Sequence, residues 1–448
     1  MRMNSASDYN KRKRTVQPVA RLQERTLWCK EVAHIHAERK VRYDELVAKL
    51  ARGRNIRRSV NELLYDRAVR QSAALKVLGN GATREQMHQL LRKVHARKQH
   101  YSAIQWYRQP KITGGFRPIC SGIPLDLKAV HYMLKWALEA IYTPPDHIYF
   151  VPTKGRDEAA RSILSAIRSG YNHLGKTDIV SCFQSINPDS FYESQLPKEV
   201  INRALDLRTM QFEEVSVPRH YGGDPIETLN TSGPMGLMQG SPASSTILAW
   251  LLSKIPSMTG ARVFVCADNI LVAATSEHRC RAMIDALAQY FAGCSFGPLT
   301  LCETEYASPN DDPVDFLSYS ISPDGRDLRI SDGALNILAA DLGALEELPS
   351  ISARDYFLSS LAKLRGFINA FSAAPDGRGD LQPHVEGVRR TLIGMGARNL
   401  AEMCELALES PDTDEGWLIT SVLKASFEPK RHRSHLRQAK KHSALSGF

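Results

Sequence analysis

Two aspartates set the chemistry that this sequence can perform. Asp178 opens the apolar run of KTDIVSCFQSI (176–186), where a carboxylate facing a core is costly unless it meets a cation. Asp268 lies in RVFVCADNILVAA, between two runs of β-branched and small apolar residues, which predicts a tight hairpin with Asp268 at its tip. Asp and Asn tolerate left-handed backbone, so the Ala267-Asp268-Asn269 stretch is also a good turn in its own right. If the two strands are neighbours, the carboxylates share one sheet edge and can hold two divalent cations about 3.5–4 Å apart, the spacing suited to in-line phosphoryl transfer.

The elements needed to position such a pair follow from pattern. Residues 17 to about 100 read as helices, with Thr83-x-x-Gln86 as a capping box opening one of them. From Tyr101 the chain turns to short apolar runs broken by Gly and Pro. Strand signals then appear in KTDIVSCF, RVFVCADNILVAA and VDFLSYSIS, and Pro323-Asp324-Gly325 supplies a hairpin turn. Helices are predicted over 157–169, 241–255 and 277–292, and again from about 331 onward. Alternating strands and helices with an antiparallel hairpin predict an α+β sheet with helices on one face.

Composition narrows the setting. With 448 residues, 43% of them hydrophobic, the chain can bury a large core and divide into two to four lobes. No run of eighteen apolar residues occurs, and no apolar segment follows the charged start, so a cytoplasmic protein without membrane contact is expected. The eight cysteines are scattered without a CxxC pair, which argues against disulfides and zinc. Residues 1–60 hold sixteen Lys/Arg against six Asp/Glu, residues 424–441 seven against one, and the middle is mildly acidic. Basic ends that grip phosphates around a carboxylate centre would give this distribution.

In chain order the sequence resembles the bacterial reverse transcriptases, including group II intron, retron and defence-associated types, over about residues 105–375. The matching segments are KITGGFRPICSGIP, KTDIVSCFQSI, GPMGLMQGSPASSTILAWLL, VFVCADNILVA, VDFLSYSIS and KLRGFINAF. The resemblance implies a right-hand polymerase: a helical N-terminal extension (1–100), fingers (101–175), a ferredoxin-like palm (176–330, with a fingers insertion at about 188–235), and a helical thumb with a basic tail (331–448). It implies RNA-directed DNA synthesis from deoxynucleoside triphosphates on an RNA template, a structured non-coding RNA, giving a DNA product. Mg2+ is the implied cofactor, with Mn2+ able to substitute. Asp178, Asp268 and the backbone carbonyl of Ile179 become metal ligands, and Asn269 joins the two aspartates as a catalytic position. Lys111 and Arg117 are implied to bind the triphosphate, Phe183 to gate against ribose 2′ hydroxyls, and Gln239 and Gly240 to line the nucleotide.

The sequence departs from the family pattern in several places. Asn269 replaces the second aspartate of the hairpin, Cys266 a tyrosine, Ser245 a proline and Ser318 a glycine. LTLCETEYAS lacks the lysine that acts on pyrophosphate in relatives. Maturase Cys/His ligands, the retron VTG signature and the SQ of template-mutating enzymes are absent, which leaves a free-standing antiphage-defence enzyme as the expected subclass. Template-independent or protein-primed DNA synthesis by the same site, and a degenerate palm that only binds RNA, are the alternatives.

Overall fold

In this computed structural model the described residues are 6–98, 100–110, 116–152, 154–215, 234–348, 350–374 and 377–409. Four helices come first: α1 (Ala6–Ala51), α2 (Ile56–Tyr65), α3 (Arg67–Leu78) and α4 (Arg84–Leu91). The capping box forms as expected, with Gln86 N donating to Thr83 Oγ1 and Thr83 N donating to Gln86 Oε1. Strands β1 (Ile104–Pro110) and β2 (Phe116–Gly122) pair antiparallel, and helices α5 (Leu125–Ile141) and α6 (Arg156–Arg168) follow.

Next come β3 (His173–Asp178), the short α7 (Cys182–Ser185), α8 (Lys198–Ala204) and β4 (Phe212–Glu214), which returns to pair with β1. Helix α9 (Ser244–Leu252) leads into the hairpin β5 (Ala261–Cys266) and β6 (Asn269–Ala274), then α10 (Glu277–Gly293) and β7 (Glu305–Ala307). Strands β8 (Val314–Phe316), β9 (Tyr319–Ile321) and β10 (Leu328–Ile330) form a separate small sheet. Helices α11 (Asp332–Glu346), α12 (Ala353–Ala370), α13 (Gly377–Gly394) and α14 (Arg398–Glu409) complete the described chain.

The central sheet has the order β5-β6-β3-β7, and every pair in it is antiparallel. Its strand β6 is buried on both faces, which corrects the expectation of helices on one face only. Along β6, Ile270, Val272 and Ala274 join the core that includes Cys280, Met283 and Ile284 of α10, while Leu271 and Ala273 join the core that includes Ala159, Ala160 and Ile163 of α6. NILVAA is continuously apolar because both of its faces are covered.

A second correction concerns VDFLSYSIS, which is a hairpin and not one strand. Leu317 and Ser318 both take positive φ, 55° and 64°, and turn β8 back on β9. Neither residue is a glycine, so the turn left no signal in the sequence. The turn expected at Pro323-Asp324-Gly325 does form, with Gly325 at φ 75° and its N–H donating to Ser322 O.

Removing side-chain volume from the doubly covered strand should be expensive. Leu271→Ala is expected to lower unfolding free energy by about 2–5 kcal/mol in urea denaturation, whereas Ile337→Ala, on a side chain that is 68% exposed, should stay within about 0.5 kcal/mol. A Leu271→Ala loss no larger than that of Ile337→Ala would contradict the two-faced core.

Candidate active site

Sheet register builds the site. In the β3–β6 pair Asp178 stands directly opposite Asn269, and in the β5–β6 pair Cys266 closes on Asn269. Ala267 and Asp268 are therefore the two loop residues, with Ala267 in the left-handed region at φ 59°. Asp268 sits at the hairpin tip, as its flanking sequence predicts. Beyond the strand, Ile179 N donates to Asp268 O at 2.9 Å, so the backbone leaving Asp178 stays bonded to the tip. On its other side, Cys302 N donates to Asp178 O at 2.7 Å and Val180 N donates to Thr300 O at 2.8 Å. The Asp178–Val180 segment is thus clamped between the hairpin and residues 300–302.

The electrostatics of this pair are unfavourable by themselves. Asp178 Oδ1 is buried and has no hydrogen-bond partner among the described residues. Burial, and then the nearby Asp268 carboxylate, hold the Asp178 carboxyl above its ordinary range, while Lys176 opposes the shift. Burial, with Asp268 adding to it, also pushes the Cys266 thiol up to about 11. A desolvated, unpaired carboxylate oxygen beside a second carboxylate is the arrangement that a hard cation relieves. The donors are all oxygen, which suits Mg2+ or Mn2+ and does not suit soft metals. Among the described residues no group of three or more His, Cys, Asp or Glu gathers to hold a metal, at this pair or elsewhere, so the two carboxylates would need further oxygen donors. The Ile179 carbonyl accepts no hydrogen bond from a described backbone N–H, which leaves it available as a further oxygen donor.

Asn269 donates from Nδ2 to Asp268 Oδ1 at 3.2 Å. Its amide orients the neighbouring carboxylate, a role that its sequence position alone did not suggest. An aspartate here would face Asp178 directly across the ladder, and like charges directly opposite each other destabilise a sheet.

A backbone belt joins this carboxylate pair to the other sequence-predicted residues. Phe183, half-buried on α7, accepts at its carbonyl from Leu237 N at 2.7 Å. Gly236 allows that approach, since at φ 65° any Cβ on it would lie 2.2 Å from Phe183 O. The carbonyl of Gln239 accepts from Cys120 N at 3.2 Å, and a Cβ on Gly240 would lie 2.7 Å from Cys120 O. The Gln239-Gly240 turn is therefore pressed against β2, the strand that carries Arg117. Gln239 Oε1 is buried without a partner among the described residues. Arg117 is exposed, and its Nε donates to Gln109 Oε1 at 2.9 Å across the β1–β2 hairpin. Lys111 and the basic run at 430–441 lie outside the described residues.

Three contributors were missed in the sequence. Gly236 was readable as a glycine in GPMGLMQG. Lys176 lies on the same strand face as Asp178, two residues earlier, and its Nζ meets Glu305 Oε2 at 2.9 Å on β7; strand alternation could have found it. His131, fully enclosed in α5, gives no signal inside its apolar helix. Its Nε2–H donates to Ala204 O at 2.6 Å, and its Nδ1 accepts from the Ser241 hydroxyl at 2.9 Å, directly after the Gln239-Gly240 turn. Burial lowers its pKa to about 4, and a neutral ring is compatible with the Ser241 bond.

No protein family model and no curated protein matches this chain. Among solved structures it is similar to telomerase from Candida albicans in complex with a TWJ fragment of telomeric RNA (11% identity, TM-score 0.34, covering 73% of this chain and 65% of that one). It is also similar to apo telomerase from Candida tropicalis (11% identity, TM-score 0.39, covering 78% and 64%). The chain spans just under two thirds of the length of those chains. Likeness at this level carries no weight for the site, which stands on its own geometry.

Adding a third carboxylate should reveal the repulsion that Asn269 avoids. In EDTA, Asn269→Asp is expected to lower stability by about 0.5–1 kcal/mol in thermal unfolding, and added Mn2+ should stabilise this variant more than wild type. Equal stability in EDTA together with an equal response to Mn2+ would show that position 269 does not face the other carboxylates.

Proposed function

We propose that this chain is an RNA-directed DNA polymerase, a reverse transcriptase. The observation that carries this reading is the buried Asp178 Oδ1, without a partner among the described residues, at the end of β3 beside Asp268 at the tip of the adjoining β5–β6 hairpin. The succession β3, α9, β5, β6, α10, β7, with sheet order β5-β6-β3-β7, is that of a ferredoxin-like unit and supports the palm of a right-hand polymerase. The β1–β2 hairpin then serves as fingers and α11–α14 as thumb. Sequence order supports the reverse transcriptase reading further, because the segments that resemble that family follow one another in the order such a polymerase needs.

In the proposed reaction the primer 3′ oxygen attacks the α-phosphorus of a deoxynucleoside triphosphate. A new P–O bond forms, the bond to the β-phosphate oxygen breaks, and pyrophosphate leaves. Bound divalent cations would lower the pKa of the attacking hydroxyl and neutralise charge on the leaving group. Asp178, Asp268 and the Ile179 carbonyl would hold them. Asn269 keeps the Asp268 carboxylate aimed, and the clamp of residues 300–302 on Asp178–Val180 keeps the two carboxylates from separating. Phe183, on the short helix that follows Asp178–Val180, would exclude a ribose 2′ oxygen, and Gln239-Gly240 would face the nucleotide. Arg117, whose Nε is held by Gln109, would offer its two Nη groups to a triphosphate. RNA as template, a structured non-coding RNA in particular, cytoplasmic action and a role in antiphage defence complete the proposal by family resemblance.

Asp178→Ala and Asp268→Ala should each reduce primer extension by at least about a thousandfold while leaving RNA binding and the thermal unfolding midpoint close to wild type. Extension retained in either variant would remove the site assignment. If wild type itself makes no DNA with any template, primer or metal yet still binds RNA, the degenerate-palm reading replaces this one.

Phe183→Val should raise the ratio of ribonucleotide to deoxyribonucleotide incorporation by about tenfold or more in single-nucleotide extension, by opening the space beside C2′. An unchanged ratio would return Phe183 to a core role.

A further inference from the structure

The corner between α1 and α2 reads ARGRNIRRS over residues 51–59. Arg52, Arg54, Arg57 and Arg58 are all exposed there, and the sequence carries no acidic residue from Lys49 through Asn61. Nearby basic side chains on the same lobe are matched with acids: Lys40 with Asp44, Arg42 with Glu45 and Asp66, and Lys49 with Glu62. At the corner, among the described residues, only Arg58 has an ion pair. It shares Glu62 with Lys49 at 3.5 Å and stays 84% exposed.

Helix polarity sharpens the contrast. Asn55 caps α2 by accepting from Arg58 N at 3.0 Å, and the first turn of the helix contains no acid. Arg57 and Arg58 occupy the second and third helical positions, at the positive end of the peptide dipoles, where cations are disfavoured and anions favoured. The chain therefore concentrates positive charge where its own fold opposes it, and supplies almost no internal partner. An external polyanion would relieve both the arginines and the helix end. Guanidinium groups suit phosphate oxygens, which they bind through paired N–H donors. An anionic membrane fits less well: no large apolar side chain is exposed between residues 48 and 64, and Ile56 packs into the core.

We propose that the α1–α2 corner binds the phosphodiester backbone of RNA without regard to sequence. The choice of RNA as the polyanion rests on the function proposed above; the existence of an anion site at the corner rests on the charge geometry alone.

The test uses the full chain, a fluorescein-labelled RNA hairpin of arbitrary sequence, and two variants. In R52Q/R54Q/R57Q/R58Q the charges are removed, and in R52K/R54K/R57K/R58K they are kept. The glutamine variant is expected to bind RNA at least about tenfold more weakly at physiological salt, with the slope of log K against log salt reduced by about 3. The lysine variant should stay within about threefold of wild type. Without RNA, the unfolding midpoint of the glutamine variant should be at or above that of wild type, because repulsion at the helix end is gone. A folding defect cannot combine greater stability with weaker binding. Unchanged affinity and salt slope in the glutamine variant would overturn the proposal while leaving the polymerase reading intact, and wild type that binds no RNA would overturn both. Loss of binding to phosphatidylserine vesicles with RNA affinity unchanged would reassign the corner to a membrane surface.

Discussion

The antiparallel register of β3 against β6 is the constraint on which the rest of this structure depends. It sets Asp178 opposite Asn269, and so beside Asp268 at the neighbouring tip. A slip of one residue would turn Asp178 to the other face of the sheet. Packing prevents the slip, because β6 is buried on both sides and each of its residues from Ile270 to Ala274 belongs to one core or the other. The two cores together hold the carboxylates at one edge, although burial and mutual repulsion both disfavour placing charge there.

Stability is given up at this edge and compensated around it. Asp178 Oδ1 lacks a partner among the described residues, yet the backbone around it is held by Cys302, Thr300 and Asp268, with the Ile179 carbonyl left free. Two of the six non-glycine residues with positive φ among the described residues, Ser181 and Ala267, lie close to this edge. Such strain persists only where the surroundings over-determine the backbone. Glycines at 236 and 240 then let neighbouring segments approach Phe183 and Cys120 at distances that no side chain would allow. Through these contacts the first hairpin, the Gln239 turn and the carboxylate edge form one bonded unit, with His131 and Ser241 fixing the turn from behind.

Much of this was legible in the sequence because the determinants are local. A carboxylate inside an apolar strand, a two-residue turn between β-branched runs, and a capping box are short patterns with direct physical meaning. Asp178, Asp268 and Thr83 accordingly sit where their neighbours predict. What escaped depends on residues far apart. NILVAA alone does not say that α6 covers its second face. Leu317 and Ser318 form a turn only because β8 and β9 pack into the same core. His131 looks like any histidine in an apolar helix until Ala204 and Ser241 are brought to its two nitrogens. Arg117 gives no sign in the sequence that Gln109, opposite it in the hairpin, takes its Nε.

The central claim is that Asp178 and Asp268 form a cation site for nucleotide chemistry. Electron paramagnetic resonance of Mn2+ titrated into the protein, with and without a deoxynucleoside triphosphate, measures that site without requiring turnover. The account predicts protein-bound Mn2+ that becomes tighter when the nucleotide is present and is lost in Asp178→Asn and Asp268→Asn. Mn2+ binding that is absent from wild type under both conditions, or unchanged in both variants, would contradict it.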